Sequence, residues 1–202
     1  MNLENRFKNL TANYYNTTSL TEGLWNVLLK KYTEPHRAYH NFKHLEELFK
    51  YFDVHQNSLE HPDIVAFSIF YHDVIYNIWK KDNEEKSAEL ATTELTKLNL
   101  PFVNSVAQQI IATKTHHATD NDTKYLVDFD LAILGQSEKT YQHYTQLIRK
   151  EYKLVPSLLY KSGRKKVLAH FLNKSSIYAT EAFRSLYEVQ ARENLKNELN
   201  NI

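Results

Sequence analysis

A chain of 202 residues, 42% of them hydrophobic and 13% aromatic, can bury one sizeable core but is short for two independent domains. Its 25 Lys and Arg against 24 Asp and Glu leave a formal charge of +1, so no global field draws it to nucleic acid or to an anionic membrane. The lack of cysteine excludes disulfides, thiolate zinc sites and a thiol nucleophile together, so any metal must be held by His, Asp, Glu or water.

The opening "MNLENRFKNL" has neither a secretory nor a transit pattern, and the expected compartment is the cytoplasm. Three glycines and four prolines supply few of the turn residues that hairpins need, which favours helices throughout. Leu3, Phe7, Leu10 and Tyr14 share one helical face, and Leu24, Leu28 and Tyr32 share another after the capping-box pattern Ser19 to Glu22. A third stripe runs through Leu45, Leu48, Phe49 and Phe52. Pro62-Asp63 then starts a helix expected over Ile64 to Tyr76. Its apolar run is split by His72 and Asp73 and is too short to span a bilayer. Further helices are expected at Leu90 to Leu98, Val103 to Ile111, Tyr125 to Leu134 ending at Gly135, Ser137 to Tyr152, about Leu158 to Leu172, and Thr180 to Leu199. No repeat or linker interrupts them, so the expectation is a single all-α bundle over residues 1–202. Its irregular joints fall near Thr33 to Asn41, Ile78 to Asp82 and Thr115 to Lys124.

Polar residues set among apolar ones carry the candidate chemistry. In "YHNFKHL", His40 and His44 stand four apart, so a helix would project both rings from one face; a solvated pair near a helix start explains the spacing equally well. In "FYHDVIYN", His72 and Asp73 lie between Ile69, Phe70, Val74 and Ile75, where an unpaired charge is costly to bury. A cation reached by both side chains removes that cost, and an ion-paired aspartate beside a core histidine is the alternative. In "YLVDFDLAILG", Asp128 and Asp130 alternate with Val127, Phe129 and Leu131; Asp128 suits a cap, and Asp130 suits a buried acceptor or ligand. Glu84, Glu85 and Ser87 stand at one helix start, and Lys114, His116 and His117 at another helix's end, where solvated ends are common.

These residues in this order resemble the HD superfamily of metal-dependent phosphohydrolases. The segments "PHRAYHNFKHLEEL", "FYHDVIYN", "DNEEKSAELA", "ATKTHH", "DFDLAILG", "IRKEY", "GRKKVL" and "ARENLKNEL" together resemble a small family of predicted HD-domain phosphohydrolases of about this length, across essentially the whole chain. The resemblance implies one HD-type helical domain with His44, His72, Asp73 and Asp130 as metal ligands. Two imidazoles and two carboxylates suit Mn²⁺, Fe²⁺, Co²⁺, Ni²⁺ or Zn²⁺ better than Mg²⁺ alone, and one ion or two would fit. Asp73 would also act in catalysis by bridging to a second ion, if His116, His117 or Glu84 completes another site.

"YHNFKH" is also similar to the Tyr-His-Asn-x-x-His segment of cyclic-nucleotide phosphodiesterases, which implies His40 as proton donor to the leaving oxygen and His44 as ligand. The Gly/Asn pair that follows the dyad in those enzymes is missing, and His40 and His44 can exchange roles. Arg37, Lys114, His116 and Glu84 are the expected substrate contacts, while Arg149 and Arg164 are read as helix-packing residues. The implied activity is hydrolysis of a nucleotide or another small phosphate ester by metal-activated water. The alternatives are a non-catalytic module of the same type that binds a nucleotide or metal, and a helical scaffold with incidental histidines. No phosphate-loop, dinucleotide or serine-elbow motif competes with this reading, and neither a nucleic-acid nor a membrane partner is expected.

Overall fold

With few glycines and prolines to break the 3.6-residue periodicity, the chain folds into helices connected by short turns. The computed structural model describes residues 2–15 and 18–202, and the regular structure among them is all-helical. The α-helices are α1 (Leu3–Ala12), α2 (Thr18–Tyr32), α3 (Phe42–His55), α4 (Pro62–Tyr71), α5 (Asn83–Thr96), α6 (Val103–Thr115), α7 (Asn121–Leu131), α8 (Glu138–Glu151), α9 (Ser157–Asn173) and α10 (Glu181–Asn201). Short 3-10 turns occupy Gln56–Ser58 and Ala132–Gly135. Among the described residues no helix is long and apolar enough to cross a membrane.

Local caps explain several helix starts. The side chains of Asn2, Asn41, Ser137 and Thr180 accept hydrogen bonds from the backbone N–H groups of Asn5, Lys43, Thr140 and Phe183. Ser19, expected to cap, lies inside α2, whose described residues begin at Thr18. Pro62 opens α4 at a position where its missing N–H costs nothing. The two preceding N–H groups, of Glu60 and His61, donate to the Asp122 carboxylate at 2.8 and 2.7 Å.

The chain divides into two compact units, Met1–Leu126 and Val127–Ile202, the division falling inside α7. In the first unit every residue of α4 from Ile64 to Tyr71 is buried, as expected of a helix apolar on all sides. Helices α3, α5 and α6 pack on it. Ser68 in that stretch returns its hydroxyl to the Ile64 carbonyl at 2.9 Å. Phe7 of α1 meets Phe70 edge-to-face at 5.1 Å and tilts against Trp25 of α2 at 6.0 Å, which anchors the first two helices to the core.

In the second unit the 3-10 turn Ala132–Gly135 packs on α10. Asn194 of α10 is buried and donates from Nδ2 to the carbonyls of Leu134 and Gln136, both at 2.8 Å. Asp128 accepts from the N–H groups of Ala179 and Thr180 and from the Thr180 hydroxyl, so its buried carboxylate holds the start of α10. Arg164 and Glu198 form a two-pronged pair at 2.8 and 2.9 Å beneath Tyr141. Arg149 donates to the Tyr152 and Val155 carbonyls past the end of α8.

Candidate metal centre

Helix α4 stops at Tyr71, five residues before the expected end, and the His72-Asp73 pair stands in the turn that follows. The apolar pattern continues through Val74 and Ile75, so something other than pattern ends the helix. Polar groups from distant segments take up the backbone at the break. The Tyr32 hydroxyl donates to the Phe70 carbonyl at 3.0 Å. Arg37 donates from Nη1 to the Asp73 carbonyl at 2.7 Å and from Nη2 to the Val74 carbonyl at 3.0 Å. Ser87 of α5 accepts from the Ile75 N–H at 3.0 Å and donates to the Ile75 carbonyl at 3.3 Å. With these backbone groups satisfied, the chain can leave the helix inside the core.

His40 lies in the turn that precedes α3, and His44 in the first turn of that helix, so the two rings do not share one continuous helical face. They nevertheless converge with the dyad. The Nε2 atoms of His72, His44 and His40 stand 3.2, 3.6 and 4.0 Å from Asp73 Oδ2, and the Nε2 atoms of His44 and His72 stand 3.2 Å from each other. The side chains of His44 and His72 are 1% exposed, whereas those of His40 and Asp73 are 19% exposed. His40 and Asp73 therefore face solvent while the other two rings form the floor. His40 stacks on Tyr76 at 4.2 Å.

This donor set suits a divalent cation. His72 Nδ1 lies 3.0 Å from the Ile69 carbonyl, which can only accept, so that nitrogen carries the proton and Nε2, the atom whose lone pair a metal would take, is turned toward His44 and Asp73. A backbone carbonyl fixing the far nitrogen is the usual way in which a ligating imidazole is oriented. With bonds of about 2.0–2.1 Å, neighbouring ligand atoms around a tetrahedral or octahedral ion stand about 2.8–3.4 Å apart, a range that holds the two 3.2 Å separations of His72 from His44 and from Asp73. Among the described residues His44 and His72 belong to a group able to hold a metal ion. Burial alone would raise the Asp73 carboxyl, but the imidazoles of His72, His40 and His44 hold it well below the usual carboxylate range.

The remaining candidates are distributed around this floor. Arg37, expected to meet substrate, is buried behind it: besides the two turn carbonyls it donates to the His40 carbonyl at 3.0 Å and to Glu34 at 3.1 Å. Its guanidinium faces the protein, because carbonyls of two turns converge on it. Glu84 lies in the first turn of α5; burial raises its carboxyl, its own backbone N–H opposes this, and the Asp73 carboxylate raises it further. Lys114 is exposed, donates to the Lys81 carbonyl at 2.8 Å and pairs with Glu85. His116 ends α6 in the left-handed conformation, with φ of 50°. Asp130 is half-buried on the part of α7 that belongs to the second unit.

Tyr32, Glu34 and Tyr76 also meet these turns, and the sequence alone assigns none of them a functional role. Only for Tyr76 was there a signal, its position four residues after His72. Compared with family models, with curated proteins and with solved structures, the chain has no match in any of the three.

Proposed function

We propose that the chain is a metal-dependent phosphohydrolase of the HD type, acting on a nucleotide or another small phosphate ester. The observation that carries this reading is the convergence of three imidazole Nε2 atoms on one oxygen of Asp73. His44, His72 and Asp73 would hold the ion, and the resemblance adds Asp130 as a further ligand. Mn²⁺, Fe²⁺, Co²⁺, Ni²⁺ or Zn²⁺ suits these donors better than Mg²⁺ alone. Such an ion supplies activation of water near neutral pH and offsets charge on the phosphoryl oxygens.

The protein's own residues then divide the work. His72 is held in one tautomer by Ile69, and His44 faces it from the first turn of α3. His40, the most exposed of the three imidazoles and the farthest from Asp73, would donate a proton to the leaving oxygen. Arg37 acts through the backbone, joining the turn of His40 to the turn of Asp73. Lys114 and Glu84 stand on the side formed by α5 and α6, where Lys114 would exchange its pairing with Glu85 for a phosphate.

A panel of nucleotides and phosphate esters assayed with added Mn²⁺ tests the proposal. Wild type is expected to hydrolyse at least one class of ester, and Asp73→Ala to lose that activity. If the wild type binds nucleotides in the presence of Mn²⁺ but hydrolyses none, the protein is a regulatory module of the same architecture. If it binds neither metal nor nucleotide, the scaffold reading stands.

A further inference from the structure

A second cavity opens in the first unit, at the far end of α4 from the dyad. It has a volume of about 580 Å³, and none of the converging histidines nor Asp73 contributes to it. Its wall includes Glu60 and His61 before α4, Gln109 of α6, and His117, Asp120 and Asp122 from the α6–α7 joint and the start of α7. Three carboxylates and no lysine or arginine line it, so the wall repels phosphate and carboxylate ligands.

The α4 N-terminus does not reverse that preference. Asp122 already takes the N–H groups of Glu60 and His61, the backbone donors that would otherwise attract an anion there. Asp120 accepts from the Thr123 N–H at 2.8 Å; burial raises its carboxyl, but the bonds from Thr123, its own backbone N–H and the charge of Lys124 together hold it below the usual range.

The wall also holds an unmet acceptor. Gln109 is 6% exposed, and its Oε1 is shielded from water with no hydrogen-bond partner among the described residues. Buried amide oxygens are seldom left so. Gln109 lines the cavity, the terminal torsion of a glutamine is broad, and a rotation about it would present this oxygen to a donor bound there. Ligand-sized volume, net negative wall and an unsatisfied acceptor all call for the same chemistry, namely cationic N–H donors. A divalent metal is the poorer occupant, since no group of three ligand atoms close enough to bind one is found there among the described residues.

We infer that this cavity is a binding site for a small organic cation, a primary amine or guanidine whose N–H groups are received by Gln109, Asp120 and Glu60. The inference is independent of the metal-centre reading. Calorimetric titration of the purified chain with 1,4-diaminobutane, 4-guanidinobutylamine and, as the anionic control, inorganic phosphate tests it. At least one amine is expected to bind saturably, with affinity lowered about tenfold in Gln109→Met, which keeps the side chain's length but removes the acceptor. Asp120→Asn, a second variant that preserves shape, is expected to weaken the same amine, and Asp73→Ala to leave it unchanged. Absence of binding by both amines overturns the inference, as does amine binding that neither cavity variant alters or that Asp73→Ala abolishes.

Discussion

Arg37 donates from one nitrogen to the carbonyl of Asp73 at 2.7 Å and to the carbonyl of His40 at 3.0 Å. A single buried guanidinium thus ties the turn before α3 to the turn after α4, and the distances around Asp73 depend on both. Arg37→Lys keeps the charge, but a lone ammonium cannot reach three carbonyls and Glu34 in the fork geometry. The expected cost is about 2–4 kcal/mol, because buried acceptors lose their donors. Urea unfolding should show a lower midpoint, and Mn²⁺ titration a weaker site. A variant with unchanged midpoint and unchanged affinity would mean that the turns are fixed by other contacts.

Asp122 acts on a helix about sixty residues away in sequence. Its two oxygens receive the N–H groups of Glu60 and His61 at the start of α4, a cap supplied from α7. Asp122→Ala should cost about 1–2 kcal/mol, as loss of an N-cap does. In a chain of this length each kcal/mol lowers Tm by about 2–4 °C. Metal affinity should be retained, since the opposite end of α4 bears the dyad. A thermal melt and a Mn²⁺ titration of the same sample separate the two effects.

Gly135 packs closely against Tyr187. A Cβ there would lie 2.5 Å from Tyr187 Cβ and 2.7 Å from the Tyr187 carbonyl oxygen. Because a backbone atom is among the obstacles, rotation of the tyrosine alone cannot make room. Gly135→Ala is expected to destabilise by about 1–3 kcal/mol or more through overpacking. Stability indistinguishable from wild type would show that the turn Ala132–Gly135 can move away from α10.

Asp128 gives a pH dependence of definite sign. Burial raises its carboxyl above the ordinary range, against the bonds from Thr180 and Ala179 and the charge of Arg184. Since the folded pKa lies above the unfolded one, near 3.9, this group's contribution is fully present below the unfolded pKa and is lost as pH rises through the folded pKa. The stability of wild type relative to Asp128→Asn should therefore fall as pH rises over that window. Carboxyl ¹³C titration should place the Asp128 midpoint above those of surface aspartates; a midpoint at or below them contradicts the assignment.

Most helices were legible because their signal is local: stripes such as Leu45, Leu48, Phe49 and Phe52 lie on one face whatever the rest of the chain does. The His72-Asp73 pair was legible for the opposite reason, as polar residues where burial was otherwise uniform. Helix ends set from afar were not. Nothing near Tyr71 announces that Tyr32, Arg37 and Ser87 will receive its last turn. Arg37 reads as a cation near a histidine, and only tertiary structure shows that backbone carbonyls surround it. Gly135 reads as a helix terminator, whereas the close approach of Tyr187 gives the residue a second constraint. The capping choice left open for Asp128 corresponds to a cap on α10, not on its own helix.

The most direct test is divalent-metal uptake by the imidazole and carboxylate floor. Chain stripped with a chelator and titrated with Mn²⁺ should bind saturably, and His72→Ala and Asp73→Ala, if folded by circular dichroism, should each bind about 100-fold more weakly or worse. No uptake of Mn²⁺, Co²⁺ or Zn²⁺ by the wild type, or equal uptake by all three proteins, would contradict a metal centre at this position.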